Sequence, residues 1–350
     1  MDRLFDKNAR IALVCKGGPE NGPYSSLAAR TITEILEKNG SKISGIYACS
    51  GSTPTALLGC VGEYPKLCDT WANLKPIDVV GKVHKIRTVM RILRKESVFE
   101  SHALGELLRK NWDLDKIFSS EALPIKFPAV DIYSSEYVIF SNKNEKHKKW
   151  FLEGVLGSMA LVPFLQPQTI LDPVESELIE PERVVGNKLL LVDGGFMGNL
   201  LLEEAMRDGY DLIFLIDIHG LNPSKMGLDE KYHWTNLTRS SLHVLTNTND
   251  VRQYQMTDRI NEEIRIKDEL KALLELLPQE HAPILRATIN RMNSGRLRLG
   301  DKNETQIVVV SNKKHASLFN FAKFTRKDVL KLMNAGYDAS VTALDRLGLK

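Results

Sequence analysis

Short apolar runs separated by amphipathic stretches recur along the chain, and they predict an alternation of strands and helices. Residues 11–15 (IALVC) and 43–48 (ISGIYA) have the length and composition of buried strands. Between them, residues 28–38 show the spacing of an amphipathic helix that ends at Asn39-Gly40. Further apolar runs predict strands at residues 129–133, 137–140, 189–192, 212–216 and 306–310.

This alternation also predicts the fold class. Helical stretches separate several of the strands, which favours an α/β fold with a mostly parallel central sheet and helices on both faces. No repeat or low-complexity linker marks a boundary, so we expect residues 1–350 to form a single domain. Two helical segments, at about residues 79–118 and 250–298, are predicted to be insertions outside the sheet.

Composition narrows the class of partner. Of the 350 residues, 43% are hydrophobic and 26% are charged, as in ordinary soluble globular proteins. The net charge of +3 is too small to indicate nucleic acid, so we expect no nucleic-acid partner. No apolar run approaches the roughly 20 residues of a membrane span, and the start of the chain lacks the apolar core of a secretory signal. We therefore expect a cytoplasmic protein, with export by a specialised route left open.

The cysteines bear on cofactor chemistry. All four lie in the first fifth of the chain, and none forms a CxxC pair with another. We expect free buried thiols in a reducing compartment, and neither a metal site nor another cofactor. The four residues are Cys15, Cys49, Cys60 and Cys68.

A tight strand-to-helix turn, Ala48-Cys49-Ser50-Gly51-Ser52, contains the candidate nucleophile. Such a turn pushes the Ser50 hydroxyl out of the sheet, and it needs small flanking residues because strand and helix pack closely there. Ala48 and Ser52 stand where glycines are usual. The alternative is an ordinary turn with a capping serine, and Ser52 is the residue better placed to cap the helix.

Two further segments are expected at the same edge of the sheet as Ser50. Asp193 ends a buried strand before a glycine pair, so it would lie near Ser50 if both strands belong to one parallel sheet. A helix cap or a turn residue is the alternative for Asp193. Gly17 and Gly18 follow the first strand, where their N–H groups could approach a ligand oxygen. Neither nucleotide-loop motif is satisfied there.

Together these segments resemble the patatin-like phospholipase family, which has a Gly-rich loop after its first strand, a G-x-S-x-G elbow and a later D-G-[GA] motif. The resemblance covers roughly residues 8–345 and is most specific from Asp193 onward (DGGFMGNLLLEEA). Residues 157–164 (GSMALVPF) are similar to the family's A-S-x-A-x-P-x-x-F segment. The chain departs from the family at Ala48 and Ser52, and its loop after Gly18 lacks the family's third glycine and its arginine.

The resemblance implies a patatin-like fold and a serine lipid acyl hydrolase that cleaves phospholipid or related acyl esters through an acyl-enzyme. Ser50 would be the nucleophile and Asp193 the base, with a pKa raised by burial, and no histidine is required. The N–H groups of Gly17, Gly18 and Gly51 would form the oxyanion hole.

The altered loop and elbow leave an alternative function open. The chain would then be a catalytically impaired member of the family that binds lipid or a protein partner. If it is an active hydrolase, we expect alanine at Ser52 to keep much of the activity, because alanine is as small as the residue it replaces.

A basic segment close in sequence to the serine turn bears on membrane contact. Six Lys or Arg residues alternate there with apolar residues at roughly helical spacing. One interpretation is the solvated face of an amphipathic helix; the alternative is peripheral contact with an anionic membrane surface near the mouth of the site. The six residues are Lys82, Lys85, Arg87, Arg91, Arg94 and Lys95.

Overall fold

A computed structural model describes residues 9–82, 91, 97–184, 186–198, 200–220, 234–276, 282–294, 304–312 and 323–349. Within these residues, eight strands form one mixed sheet and eleven helices surround it. The predicted α/β fold with a mostly parallel central sheet is confirmed. The strands are β1 (Ile11–Cys15), β2 (Ile43–Ala48), β3 (Ile125–Asp131), β4 (Glu136–Ser141), β5 (Gln168–Leu171), β6 (Lys188–Asp193), β7 (Leu212–Ile216) and β8 (Gln306–Val310).

Each of the seven apolar runs in the sequence falls on a strand, and one strand was missed. The third run was placed too late, because β3 begins at Ile125 and ends at Asp131. The missed strand is β5, which has only four residues and buries only Ile170. So short a segment carries no apolar pattern that separates it from a loop.

The sheet has a parallel half and an antiparallel half. Its strand order is β5-β6-β3-β2-β1-β7-β8, and β4 pairs with β3 outside this path. The pairings β1–β2, β1–β7, β2–β3 and β7–β8 are parallel, so these strands end at one common edge. The pairings β3–β4, β3–β6 and β5–β6 are antiparallel.

One side of β3 is shared by two strands. β4 pairs with β3 from Lys126 to Asp131 and so occupies the whole of the other side. β2 therefore pairs with the start of the shared side, at Ile125 and Lys126, and β6 pairs with its end, from Ala129 to Asp131. Because β2 and β6 run in opposite directions, their carboxyl ends face each other across a gap at residues 127–128.

Helices cover both faces of the sheet. They are α1 (Asn21–Lys38), α2 (Thr53–Gly59), α3 (Tyr64–Asn73), α4 (Pro76–Val80), α5 (His102–Asn111), α6 (Leu114–Ile117), α7 (Phe151–Ser158), α8 (Leu202–Arg207), α9 (Trp234–Leu276), α10 (Ala282–Ser294) and α11 (Arg326–Asp345). Alternate residues of β1 face different layers. Leu13 joins a large core with α1, α2, α3 and α11, whereas Val14 joins a smaller one with α8 and with Ile260 and Ile264 of α9.

The first helix is longer than its sequence pattern indicated. It begins at Asn21 rather than at residue 28, so it absorbs the end of the predicted glycine-rich turn. Pro23 does not prevent this, because a proline in the first turn of a helix displaces no intrahelical hydrogen bond. Asn21 is thus both a helix residue and a neighbour of Gly17 and Gly18.

The longest helix, α9, is fixed to the sheet near the start of β8. The side-chain amide of Asn261 donates to the Thr305 carbonyl at 2.7 Å and its carbonyl accepts from the Thr305 N–H at 3.0 Å. Both residues are buried. α9 and α10 span most of the predicted insertion at residues 250–298, and α5 and α6 lie in the one at 79–118. The domain count and the insertions themselves stay predictions.

Most of the basic segment, residues 83–90 and 92–96, lies outside the described residues, so both of its interpretations stay predictions. Arg91, which is described, forms an ion pair with Glu100 at 2.8 Å. None of the helices that the structure describes is long and apolar enough to cross a membrane. The four cysteines are free and buried, as predicted.

Gly336 allows α11 to lie directly against α1. A side chain at this position would collide with the backbone carbonyl of Tyr24. We expect Gly336→Ala to force the helices apart and to lower the free energy of unfolding by about 1–3 kcal/mol. Asn334→Ala, on the exposed face of α11, is the matched control and should change it by less than about 0.5 kcal/mol. Urea unfolding measures both variants, and equal stabilities would contradict this packing.

Candidate active site

The turn after β2 holds Ser50 in a strained backbone conformation. Ser50 has φ +49°, in the left-handed region that costs an L-residue about 1–2 kcal/mol. Such a conformation persists only where the surroundings fix it. Here the Ser50 N–H donates to the Ser158 hydroxyl at 3.2 Å, and a short 3₁₀ turn, Ser50–Ser52, leads directly into α2.

The structure brings Ser50 and Asp193 together. The Ser50 hydroxyl donates to Oδ2 of Asp193 at 2.6 Å, and the other carboxylate oxygen accepts from the Gly195 N–H at 2.8 Å. The Asp193 N–H donates to the carbonyl of Ala160 at 3.1 Å, which fixes the backbone that bears the carboxylate. Both carboxylate oxygens are therefore bonded, one of them to the hydroxyl that it would have to deprotonate.

The two residues meet by a route that differs from the one expected. The expectation that their strands are parallel is wrong, because β6 runs antiparallel to β3 and so opposite to β2. Tyr47 pairs with Lys126, and three residues further along each strand are Ser50 and Ala129. Ala129 pairs with Asp193. The stagger along β3 thus sets the serine and the aspartate at the same level.

Close backbone packing closes the gap between the strand ends. A side chain on Gly194 would lie 2.7 Å from the Pro128 carbonyl oxygen and 3.0 Å from the Cys49 sulfur. Only glycine fits there without displacing one of these neighbours. Pro128 has no N–H group, so it leaves no backbone donor unpaired where β3 lacks a partner strand.

Burial shapes the acid–base properties of the site. Burial raises the pKa of Asp193 from its ordinary value of 3.8 to about 6, although the hydrogen bonds from Ser50 and Gly195 act in the opposite direction. The Cys49 thiol next to Ser50 is also buried, and burial raises its pKa well above the usual range. Cys49 is thus a neutral thiol, whereas Asp193 is ionised and able to accept a proton near neutral pH.

The glycine loop after β1 packs directly on the serine turn. A side chain on Gly51 would lie 2.5 Å from the Gly18 carbonyl oxygen, so the two backbones touch. Gly18 has φ +119°, a conformation that favours glycine. Within the described part of the chain, the N–H groups of Gly17 and Gly18 have no protein acceptor. Pro19 offers no N–H, so the loop's free donors are confined to these two glycines.

Buried side chains hold the carbonyls of this loop. The Ser52 hydroxyl donates to the Lys16 carbonyl at 2.6 Å, and the side-chain amide of Asn21 donates to the Gly17 carbonyl at 2.8 Å. The expectation that Ser52 caps α2 is wrong, because its hydroxyl makes no bond to the backbone N–H groups of that helix. The first turn of α1 lies alongside and supplies the competing acceptor environment.

A buried ion cluster supports the loop from the other face of the sheet. Lys16 Nζ lies 3.1 Å from a carboxylate oxygen of Asp217, after β7, and 3.1 Å from one of Asp250, in α9. All three side chains are buried. Burial alone would lower the pKa of Lys16, but the two carboxylates outweigh it and raise that pKa. The cluster connects the start of the glycine loop to α9.

Sequence reasoning missed several of these supporting residues. Ser158 lies in the segment that resembles the family, but nothing in its pattern ties it to Ser50. Asn21 was placed in a turn, and Lys16 was not singled out although it follows a buried strand. Asp217 and Asp250 are distant in sequence and carry no motif. Among the described residues, no group of three or more His, Cys, Asp or Glu side chains could hold a metal ion.

No known family model matches the chain, and no curated protein matches it in sequence. Two solved structures are similar to it in fold. VipD from Legionella pneumophila is 11% identical with a TM-score of 0.42, and the match covers 97% of this chain and 67% of that one. Human GIVD cytosolic phospholipase A2 is 12% identical with a TM-score of 0.44, and the match covers 97% of this chain and 63% of that one. The chain thus spans about two thirds of the length of each.

Asp193→Asn should stabilise the protein at alkaline pH. The folded state raises the carboxyl pKa from 3.8 to about 6, so ionisation opposes folding above pH 6 and has no such effect below about pH 4. Removing the ionisable group is worth on the order of 3 kcal/mol at pH 8. We expect Asp193→Asn to melt above the unmutated protein at pH 8, by a margin that shrinks as the pH falls from 6 to 4.

The control for this experiment is Asp69→Asn, on the exposed face of α3, whose melting temperature should follow that of the unmutated protein at every pH. A margin for Asp193→Asn that does not change with pH would show that the carboxyl is not raised in pKa by folding.

Proposed function

We propose that this chain is a serine acyl hydrolase that cleaves phospholipid or related acyl esters. The observation that carries the proposal is the 2.6 Å hydrogen bond from the Ser50 hydroxyl to the buried Asp193 carboxylate. A nucleophile within reach of a base of suitable pKa is the geometry that acyl transfer needs. The lipid substrate rests on the order of the three sequence motifs and on their resemblance to patatin-like phospholipases.

In the first half of the reaction, Asp193 takes the proton of the Ser50 hydroxyl while Oγ forms a bond to the acyl carbon. The tetrahedral intermediate then expels the alcohol oxygen, which takes the proton back from Asp193. In the second half, Asp193 accepts a proton from water as the water oxygen attacks the acyl-enzyme. That proton returns to Ser50 Oγ as the acid leaves, so atoms and protons balance.

The oxyanion of the intermediate would be stabilised by backbone donors. The N–H groups of Gly17 and Gly18 are the proposed donors from the loop, and the Gly51 N–H is the proposed donor from the turn. Each such donor is worth about 2.7–4 kcal/mol of transition-state stabilisation in other enzymes. The raised pKa of Asp193 suits this chemistry, because a base that titrates near pH 6 is ionised at neutral pH and still a better proton acceptor than an ordinary carboxylate.

The first test is mutation of the proposed dyad. We expect Ser50→Ala and Asp193→Asn each to abolish hydrolysis of a short acyl ester, and the double variant to be no worse than either, because the two groups act as one unit. Ser26→Ala is the control: it removes a buried hydroxyl that bonds only to the Pro23 carbonyl, and its activity should be unchanged. Melting curves establish that each variant is folded.

Labelling separates hydrolase from binding module. A fluorophosphonate probe should label the unmutated protein at Ser50, as located by peptide mass spectrometry, and should fail to label Ser50→Ala. If the folded, unmutated protein neither hydrolyses esters nor accepts the probe, the proposal is wrong. The catalytically impaired protein that binds lipid or a protein partner then becomes the better description.

The pH dependence of the reaction provides an independent test. Only the ionised form of Asp193 can accept the Ser50 proton, and its pKa is about 6. We therefore expect kcat/KM for a short, uncharged ester to rise with pH through an apparent pKa of about 6 and to level off by pH 8. Rates are corrected for uncatalysed hydrolysis at each pH. A profile that is flat between pH 5 and pH 8 would rule out Asp193 as the base.

A further inference from the structure

The two free amides of the glycine loop share a structural feature. Each belongs to a peptide whose carbonyl is held by a fully buried side chain. The Lys16 carbonyl, in the peptide that carries the Gly17 N–H, accepts from Ser52 at 2.6 Å. The Gly17 carbonyl, in the peptide that carries the Gly18 N–H, accepts from the side chain of Asn21 at 2.8 Å. Ser52 is 0% exposed and Asn21 is 1% exposed.

Peptide geometry turns these bonds into an orientation of the donors. In a trans peptide the C=O and the N–H point in opposite directions from a rigid plane. A carbonyl that is held toward the buried interior therefore turns the N–H of the same peptide away from it. Among the described residues, neither N–H has an acceptor of its own that could set its direction instead.

Both side chains are committed to their present positions. Asn21 also accepts from the Ile218 N–H at 3.0 Å through its side-chain oxygen, and its own N–H donates to the Gly18 carbonyl at 3.2 Å. Ser52 lies 3.3 Å from the hydroxyl of Ser25, which in turn bonds to the Gly22 carbonyl at 3.1 Å. Rotating either loop peptide would leave a buried polar group without its partner, which is unfavourable.

We infer that Ser52 and Asn21 are positioning residues of the oxyanion hole: Ser52 sets the Gly17 N–H and Asn21 sets the Gly18 N–H. The inference rests on the proposed function. It explains two departures from the family pattern as one device, since a glycine at position 52 would have no hydroxyl to hold the altered loop. It also reverses the expectation that alanine at Ser52 keeps much of the activity.

Steady-state kinetics on a short acyl ester test this assignment. We expect Ser52→Ala and Asn21→Leu each to lower kcat by about 10- to 100-fold with little change in KM, because a misplaced catalytic group costs up to about 100-fold. Ser26→Ala and Asn142→Leu are the matched controls. Asn142, like Asn21, is buried and bonds to three backbone groups, but these lie at Ile117, Leu123 and Ile125, where β3 begins. The controls should lose stability to a similar extent and keep their kcat.

A second readout distinguishes positioning from general damage. The thionoester of the same substrate develops its charge on sulfur, a weaker hydrogen-bond acceptor, so the hole contributes less to its hydrolysis. Ser52→Ala and Asn21→Leu should therefore lower the ratio of ester rate to thionoester rate, whereas loss of folded enzyme lowers both rates equally and leaves this ratio unchanged.

The outcomes separate the two proposals. An unmutated protein without esterase activity or probe labelling overturns the proposed function and this inference with it. An active protein in which Ser52→Ala and Asn21→Leu match their controls in kcat and in the rate ratio overturns this inference alone. A fall in both quantities for these variants, and not for the controls, supports it.

Discussion

The site depends on the sharing of one side of β3 by two strands. β2 pairs with its first residues and β6 with its last, and the short space between them is where Ser50 and Asp193 meet. The separation of the two side chains is therefore set by the hydrogen-bond ladders of the sheet rather than by flexible loops. Backbone ladders resist displacement, so the hydrogen bond between hydroxyl and carboxylate is supported by the most rigid part of the molecule.

This arrangement concentrates unfavourable features at one point. Ser50 adopts a left-handed backbone conformation, and the carboxylate of Asp193 is buried with two hydrogen bonds as its compensation. Such strain is tolerated because the neighbouring structure is dense: glycines 51 and 194 admit backbone contacts that any side chain would prevent. The two cores on either side of the sheet supply the stability that these features remove.

The sequence was informative where chemistry and periodicity are local. Buried strands appear as apolar runs, and a serine among small residues between strand and helix marks a turn whatever the rest of the chain does. The direction of β6 could not be predicted, because an apolar run reads the same whether its strand is parallel or antiparallel to its neighbour. The two candidate residues were thus chosen correctly as neighbours of each other, although the reasoning assumed the wrong strand direction.

The roles of polar residues were harder to predict than the fold. Ser52 has the composition of a helix cap, and only the position of the Lys16 carbonyl decides that its hydroxyl bonds elsewhere. Asn21 lies among Gly, Pro and Glu residues that suggest a turn, yet tertiary contacts extend α1 to include it. The buried cluster of Lys16, Asp217 and Asp250 joins three segments far apart in sequence, so no local pattern could indicate it.

The head-to-head arrangement of β2 and β6 also has a consequence for biosynthesis. The serine is made 143 residues before the aspartate, and the two meet only after β6 has paired with β3. A nascent chain that has emerged only as far as β4 has its serine turn but no base beside it. Under the proposed chemistry, a partly synthesised or truncated chain would be harmless to the lipids of the cell that makes it.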